Sequence, residues 1–111
     1  MKEKKYTVRV TKHARQSIRQ ISGYIRNELQ APEASVRWAS RLKEAIRSLS
    51  SFPDRIALTP EEPWHGLGVH RMTHEKFYVY FMIFDDQSLV RVIDVIYQRR
   101  DQVNALVDIM R

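Results

Sequence analysis

The sequence predicts a small α+β domain in which a helical hairpin packs on an antiparallel sheet of about four strands, followed by a short C-terminal helix. Three observations predict it. Tyr6–Thr11 alternates apolar and polar residues, as a half-buried strand does. Two later segments repeat apolar residues at three- and four-residue spacing, the mark of amphipathic helices. The run Phe77–Phe84 is a continuous apolar stretch rich in aromatic and β-branched residues, suited to a central strand covered on both faces or nearly so.

Taken in order, Tyr6, Val8 and Val10 form one side of the first strand, and Thr11 is placed to cap the helix that follows. In that helix Ala14, Ile18, Ile21, Ile25 and Leu29 make one apolar stripe, while Lys12, Arg15, Arg19 and Arg26 lie on the polar face. Ala31-Pro32-Glu33 breaks and restarts the pattern. Proline suits a first helical position because its missing N–H would be unsatisfied there anyway, and Glu33 complements the positive end of the helix. Trp38, Leu42, Ala45, Ile46, Leu49 and Phe52 share a face of the second helix, which Phe52-Pro53-Asp54 ends. A long acidic connection leads to three strands, at Val69–Thr73, Lys76–Phe84 and Leu89–Tyr97, with Asp85-Asp86-Gln87 as a tight turn between the last two. Val103, Leu106, Val107 and Met110 recur at helical spacing in the tail.

The length of 111 residues predicts a single domain spanning 1–111. Ordinary hydrophobic content, three glycines and four prolines exclude collagenous and low-complexity classes, and the lack of cysteine excludes disulfides and thiolate metal sites. The longest apolar run is eight residues, too short for a bilayer span, and no secretory signal pattern follows the basic start, so the expectation is a cytoplasmic protein with no membrane partner. Charge is unevenly placed. Residues 1–50 carry twelve Lys/Arg against four Asp/Glu, and the rest carry seven against nine, an asymmetry that fits either an anionic partner or well-solvated basic helices.

Four groups of residues merit weighing for chemistry. Arg99 and Arg100 after the last strand, preceded by Tyr97, could grip phosphate bidentately or form ordinary surface. Arg71, His74 and Lys76 flank the turn into the central strand, where the cations could hold phosphate and His74 could move a proton, or all could be a solvated hairpin end. His65, His70 and His74 do not match metal-ligand spacing, so no metal site is expected and no cofactor is implied. The aromatics Trp38, Phe77, Tyr78, Tyr80, Phe81 and Phe84 are expected in the core.

Several motifs in order carry a family likeness: Tyr6-Thr7-Val8-Arg9-Val10, Ala31-Pro32-Glu33-Ala34, Ser48-Leu49-Ser50-Ser51-Phe52-Pro53, Glu62-Pro63-Trp64 before Gly68-Val69-His70-Arg71-Met72, and Phe77-Tyr78-Val79-Tyr80-Phe81 with Val95-Ile96-Tyr97-Gln98-Arg99-Arg100-Asp101. Over nearly its whole length the chain resembles the RelE/ParE superfamily of toxins from bacterial type II toxin–antitoxin modules. The resemblance implies a basic, growth-arresting toxin of a plasmid-stabilisation type of module, with a concave surface blocked by a cognate antitoxin in a hetero-oligomer. RelE-like members cleave mRNA on the ribosome without a metal, and ParE-like members poison DNA gyrase. On the first alternative Arg71 and Arg99 clamp the phosphate, His74 or Tyr97 moves protons and Lys76 assists. On the second the basic helical hairpin, including Arg15 and Arg19, and the Arg99–Arg100 end contact the target. The central-strand arginine of RelE-like nucleases is replaced by Phe77-Tyr78, and 101–111 holds neither Tyr nor His, so the Arg-Arg-Asp ending is more similar to the ParE side. A degenerate toxin retained only as an antitoxin-binding protein is the third alternative.

Overall fold

A computed structural model describes residues 4–98. The predicted C-terminal helix, Arg99 and Arg100 lie outside the described residues. Strand β1 (Thr7–Val10) leads into helix α1 (Lys12–Gly23), a π-helical turn at Tyr24–Glu28, helix α2 (Pro32–Arg47), and then strands β2 (His70–His74), β3 (Phe77–Phe84) and β4 (Leu89–Tyr97).

Local chemistry explains the boundaries. Thr11 has extended backbone, and its Oγ1 accepts the Ala14 N–H at 3.1 Å, capping α1 as its residue type predicts. The same hydroxyl lies 3.4 Å from the Ile93 carbonyl, tying the helix start to β4. Proline begins α2, and Glu33 stands in its first turn. Between the helices Ser35 is buried. Its Oγ donates to the Ser22 carbonyl at 2.9 Å and lies 2.7 Å from the Ser22 hydroxyl, so the two helices are joined there by polar contacts.

Two stripe residues depart from expectation. Leu29 is 57% exposed because the wider π turn at Tyr24–Glu28 shifts the phase of the apolar stripe before reaching it. Phe52 is 56% exposed because α2 gives way to a 3₁₀ turn at Ser48–Ser50 and Phe52 itself is left-handed, with Pro53 next disfavouring the right-handed helical region.

The four strands form one sheet in the order β1-β4-β3-β2. Hairpins β2–β3 and β3–β4 are antiparallel, but β1 runs parallel to β4, with Val8 opposite Val90 and Val10 opposite Val92. The sheet is therefore mixed rather than wholly antiparallel. Alternation in a strand says which face is buried and carries no information about direction, so β1 could not have been oriented from its own residues. The helices cover one face. Ala14, Ile21, Trp38, Leu42 and Ile46 pack there against Met72, Phe77, Val79, Phe81, Val90, Val92 and Val95. The other face of β3 is only half-buried: Tyr78, Tyr80 and Phe84 project there, not into the core expected for them, because alternation along β3 sends them away from the helices. A register shift at Tyr80/Phe81 leaves Ile93 as an extra residue in β4 and turns Asp94 opposite Tyr80.

Candidate functional site

Two concavities lie on opposite sides of the sheet. The first is a trough of about 720 Å³ between β1 and the helical hairpin. Val8, Val10, Ile18, Leu42 and Ile46 make its apolar lining, and Arg9, Arg15 and Lys43 bring positive charge to it. The Arg15 guanidinium donates to the Val10 carbonyl at 2.9 Å, which holds that cation at the strand end. Arg19 lies further along α1 and is exposed. The trough adjoins β1, one of the two edge strands of the sheet.

The second concavity, of about 610 Å³, lies where the 59–69 connection meets the open face of β3 and β4. Thr59, Glu61, Glu62, Trp64 and Val69 line it from the connection, and Tyr80, Asp94 and Ile96 from the sheet, with His13 at the start of α1. Asp94 is fully engaged. Its Oδ1 accepts the Ser17 hydroxyl at 2.7 Å and the Val95 N–H at 2.8 Å, and its Oδ2 lies 3.1 Å from His13 Nε2. Burial pushes the Tyr80 phenol up from its ordinary pKa, outweighing the opposing effect of Arg71, so its hydroxyl stays neutral at physiological pH.

The candidate residues divide between these two sides. Arg71 projects from β2 toward the open face, as its partner Tyr80 does. Its guanidinium lies 4.1 Å from the centre of the Tyr78 ring and 3.4 Å from Glu61 Oε1. His74, three positions on, projects from the opposite face of the same strand. Its Nε2 is buried, 3.4 Å from a Glu75 carboxylate oxygen but without hydrogen-bond geometry. Glu75 in turn is gripped by Arg41, whose Nε and Nη2 both donate to it, and this pairing holds the carboxyl below its ordinary pKa. Tyr97 packs edge-on against Phe77 at 5.4 Å, and Phe77 packs likewise against Trp38 at 5.3 Å, which places Tyr97 in an aromatic stack on the helix side. Lys76 is exposed in the β2–β3 turn, where its carbonyl accepts the Gln98 N–H at 2.9 Å.

The histidines occupy separate settings. His65 Nδ1 meets the Thr59 carbonyl at 3.1 Å, and His70 Nδ1 meets the Ile56 carbonyl at 2.7 Å while its ring stacks on Phe81. Among the described residues no group of three metal-ligating side chains is gathered to hold an ion. Sequence reading missed Arg9, Lys43 and the Thr59–Trp64 wall. Their grouping depends on contacts between distant segments, and Glu62-Pro63-Trp64 entered the sequence reading only as part of the family likeness.

A family model described as the ParE toxin of the type II toxin–antitoxin system, parDE, matches residues 8–102. The chain belongs to the ParE toxin family. ParE-family membership agrees with the fold of solved relatives. The toxin–antitoxin system described as chromosomal ParDE from P. aeruginosa includes a chain similar to this one, with TM-score 0.67 at 19% identity, covering 81% of this chain and 92% of that one. The toxin–antitoxin complex RelBE2 from Mycobacterium tuberculosis includes another, with TM-score 0.60 at 20% identity, covering 84% and 91%. A search of curated proteins gives no match. The ParE-type fold is therefore two helices on a four-stranded mixed sheet, and among the described residues no helix is long and apolar enough to cross a membrane.

Proposed function

We propose that this ParE-family toxin arrests growth in the cytoplasm by gripping a protein target, DNA gyrase, through surface contacts, and that a cognate antitoxin neutralises it by seating an acidic amphipathic segment in the trough beside β1. The observation that carries the first part is the arrangement around β2. Cleavage of RNA by its 2′-hydroxyl requires a phosphate clamp and proton-transfer groups directed at one point. Arg71 and His74 leave their strand on opposite faces, and Arg71 is charge-paired with Glu61 at the rim of a carboxylate-lined cavity. Carboxylates repel a phosphate that such a clamp would have to hold. A toxin that acts by contact needs neither group. Arg99 and Arg100 are assigned to the target surface on this reading.

The antitoxin part rests on the trough's own chemistry. An apolar floor with Arg9, Arg15 and Lys43 at hand suits a helix or strand with one apolar face and acidic flanks, and the β1 edge offers backbone groups to an added strand.

The test compares two purified reactions. Added to gyrase, ATP and relaxed closed-circular DNA, the protein should block supercoiling and cause cleaved DNA to accumulate; added to ribosomes translating a defined mRNA, it should leave the message intact. Codon-positioned mRNA cleavage with normal gyrase activity overturns the gyrase reading in favour of RNA cleavage. Inactivity in both, together with unimpaired growth on expression, identifies a degenerate toxin that only binds antitoxin.

A further inference from the structure

The cavity beside the 59–69 connection is unusual for so basic a chain. The protein carries a formal charge of +6, yet Glu61, Glu62 and Asp94 all line this one space. Glu62 Oε1 accepts the Gly66 N–H at 2.8 Å, which folds the connection over the sheet and fixes the carboxylate in the wall. Among the described residues Arg71 approaches Glu61 from one side, and His13 stands beside Asp94, which Ser17 and the Val95 N–H also engage, so Glu61 and Glu62 supply most of the negative charge that faces the space. Two aromatic side chains, Trp64 and Tyr80, complete the lining, and Trp64 is 49% exposed despite its size. Thr59 also lines the cavity. It is 1% exposed, and its hydroxyl finds no hydrogen-bond partner among the described residues. A buried hydroxyl without a partner is costly, and it stands ready to accept a hydrogen bond from a bound donor.

From this set we propose that the cavity binds an organic cation, a guanidinium or alkylammonium group on a slender apolar stem. Carboxylates and aromatic faces both attract cations and turn anions away, and an aromatic wall favours a group that is weakly hydrated and flat. The space of about 610 Å³ falls within the range of small-ligand sites and exceeds what a bare ion needs. Ile93 and Ile96 belong to or adjoin the same wall and suit the stem. The cation can come from a free metabolite or from an arginine side chain of a bound protein. The site is independent of whether the toxin acts on gyrase or on RNA, because it rests on the lining alone.

The experiment titrates n-butylguanidinium into the ¹⁵N-labelled protein, with its neutral analogue n-butylurea as control. The Trp64 indole resonance, assigned by its loss in Trp64→Phe, should shift to saturation while that of the buried Trp38 stays in place. Butylurea should bind about tenfold more weakly. Glu61→Gln and Trp64→Ala should each weaken butylguanidinium by about fivefold. Thr59→Val keeps the side-chain shape and deletes the unpartnered hydroxyl, so it should melt no lower than the parent while binding less tightly. N-acetylarginine methylamide separates the sources: binding as tight as butylguanidinium assigns the site to a protein side chain, and binding much weaker assigns it to a free cation. The proposal is overturned if Trp64 shows no saturable shift, if butylurea binds equally well, or if Glu61→Gln and Thr59→Val both bind as tightly as the parent.

Discussion

Arg71 owes its setting to a single fact of strand geometry, that successive side chains alternate faces. An even spacing would have put it beside His74; the odd spacing gives it Tyr78, Tyr80 and Glu61 instead. Tyr6 is a second residue whose surroundings set its chemistry. Its hydroxyl donates to Asp85, and the hydrogen bond to that carboxylate, with burial and charge adding to it, pushes the phenol up to about 12. A phenol that holds its proton more firmly in the folded chain than its ordinary value of about 10 stabilises the fold below that value. That contribution is lost as pH rises from about 10 through about 12. An ultraviolet titration of the parent should therefore contain a late tyrosinate step near pH 12 that Tyr6→Phe lacks. If the tyrosinate absorbance that Tyr6→Phe removes instead develops near the ordinary value of about 10, the Tyr6–Asp85 bond does not form in solution.

At the scale of elements, the helical hairpin and the three C-terminal strands were legible because each depends on its own residues. The stripe Ala14-Ile18-Ile21-Ile25 and the run Phe77–Phe84 state their period locally, and Thr11 and Pro32 mark helix starts by side-chain chemistry. Leu29, Phe52 and the direction of β1 were not legible in that way. The first two depend on where a helix changes its winding, and the third on how the chain returns after the helices, which is a long-range choice. The candidate site was less legible than the fold for the same reason. Arg71 is only three residues from His74, yet the sheet puts it on one face and His74 and Tyr97 on the other, whereas Thr59, Trp64 and Tyr80 are brought together only by the folded connection. The Thr11 cap gives a check at this scale. Thr11→Ala removes the acceptor for the Ala14 N–H and the link toward Ile93, and should cost about 1 kcal/mol of unfolding free energy in a urea titration. A loss under a few tenths would mean that the cap is replaced by solvent.

On the whole molecule, charge and shape sort the two sides. The trough between β1 and the helices gathers cations around an apolar floor, while the opposite concavity gathers carboxylates and aromatic rings. An acidic antitoxin segment should be steered to the first side, so Lys43→Glu should slow antitoxin association by about tenfold at low salt and less at high salt, leaving the melting temperature near that of the parent. An association rate insensitive to this change would move the antitoxin elsewhere. The central claim, that toxicity comes from contact rather than proton transfer, is tested most directly by the double variant His74→Gln, Tyr97→Phe, which deletes both described candidates for moving a proton while preserving the Phe77 packing. Growth should still arrest on its expression. Loss of arrest in a variant that folds and still binds antitoxin would contradict the account and restore these two side chains to a catalytic role.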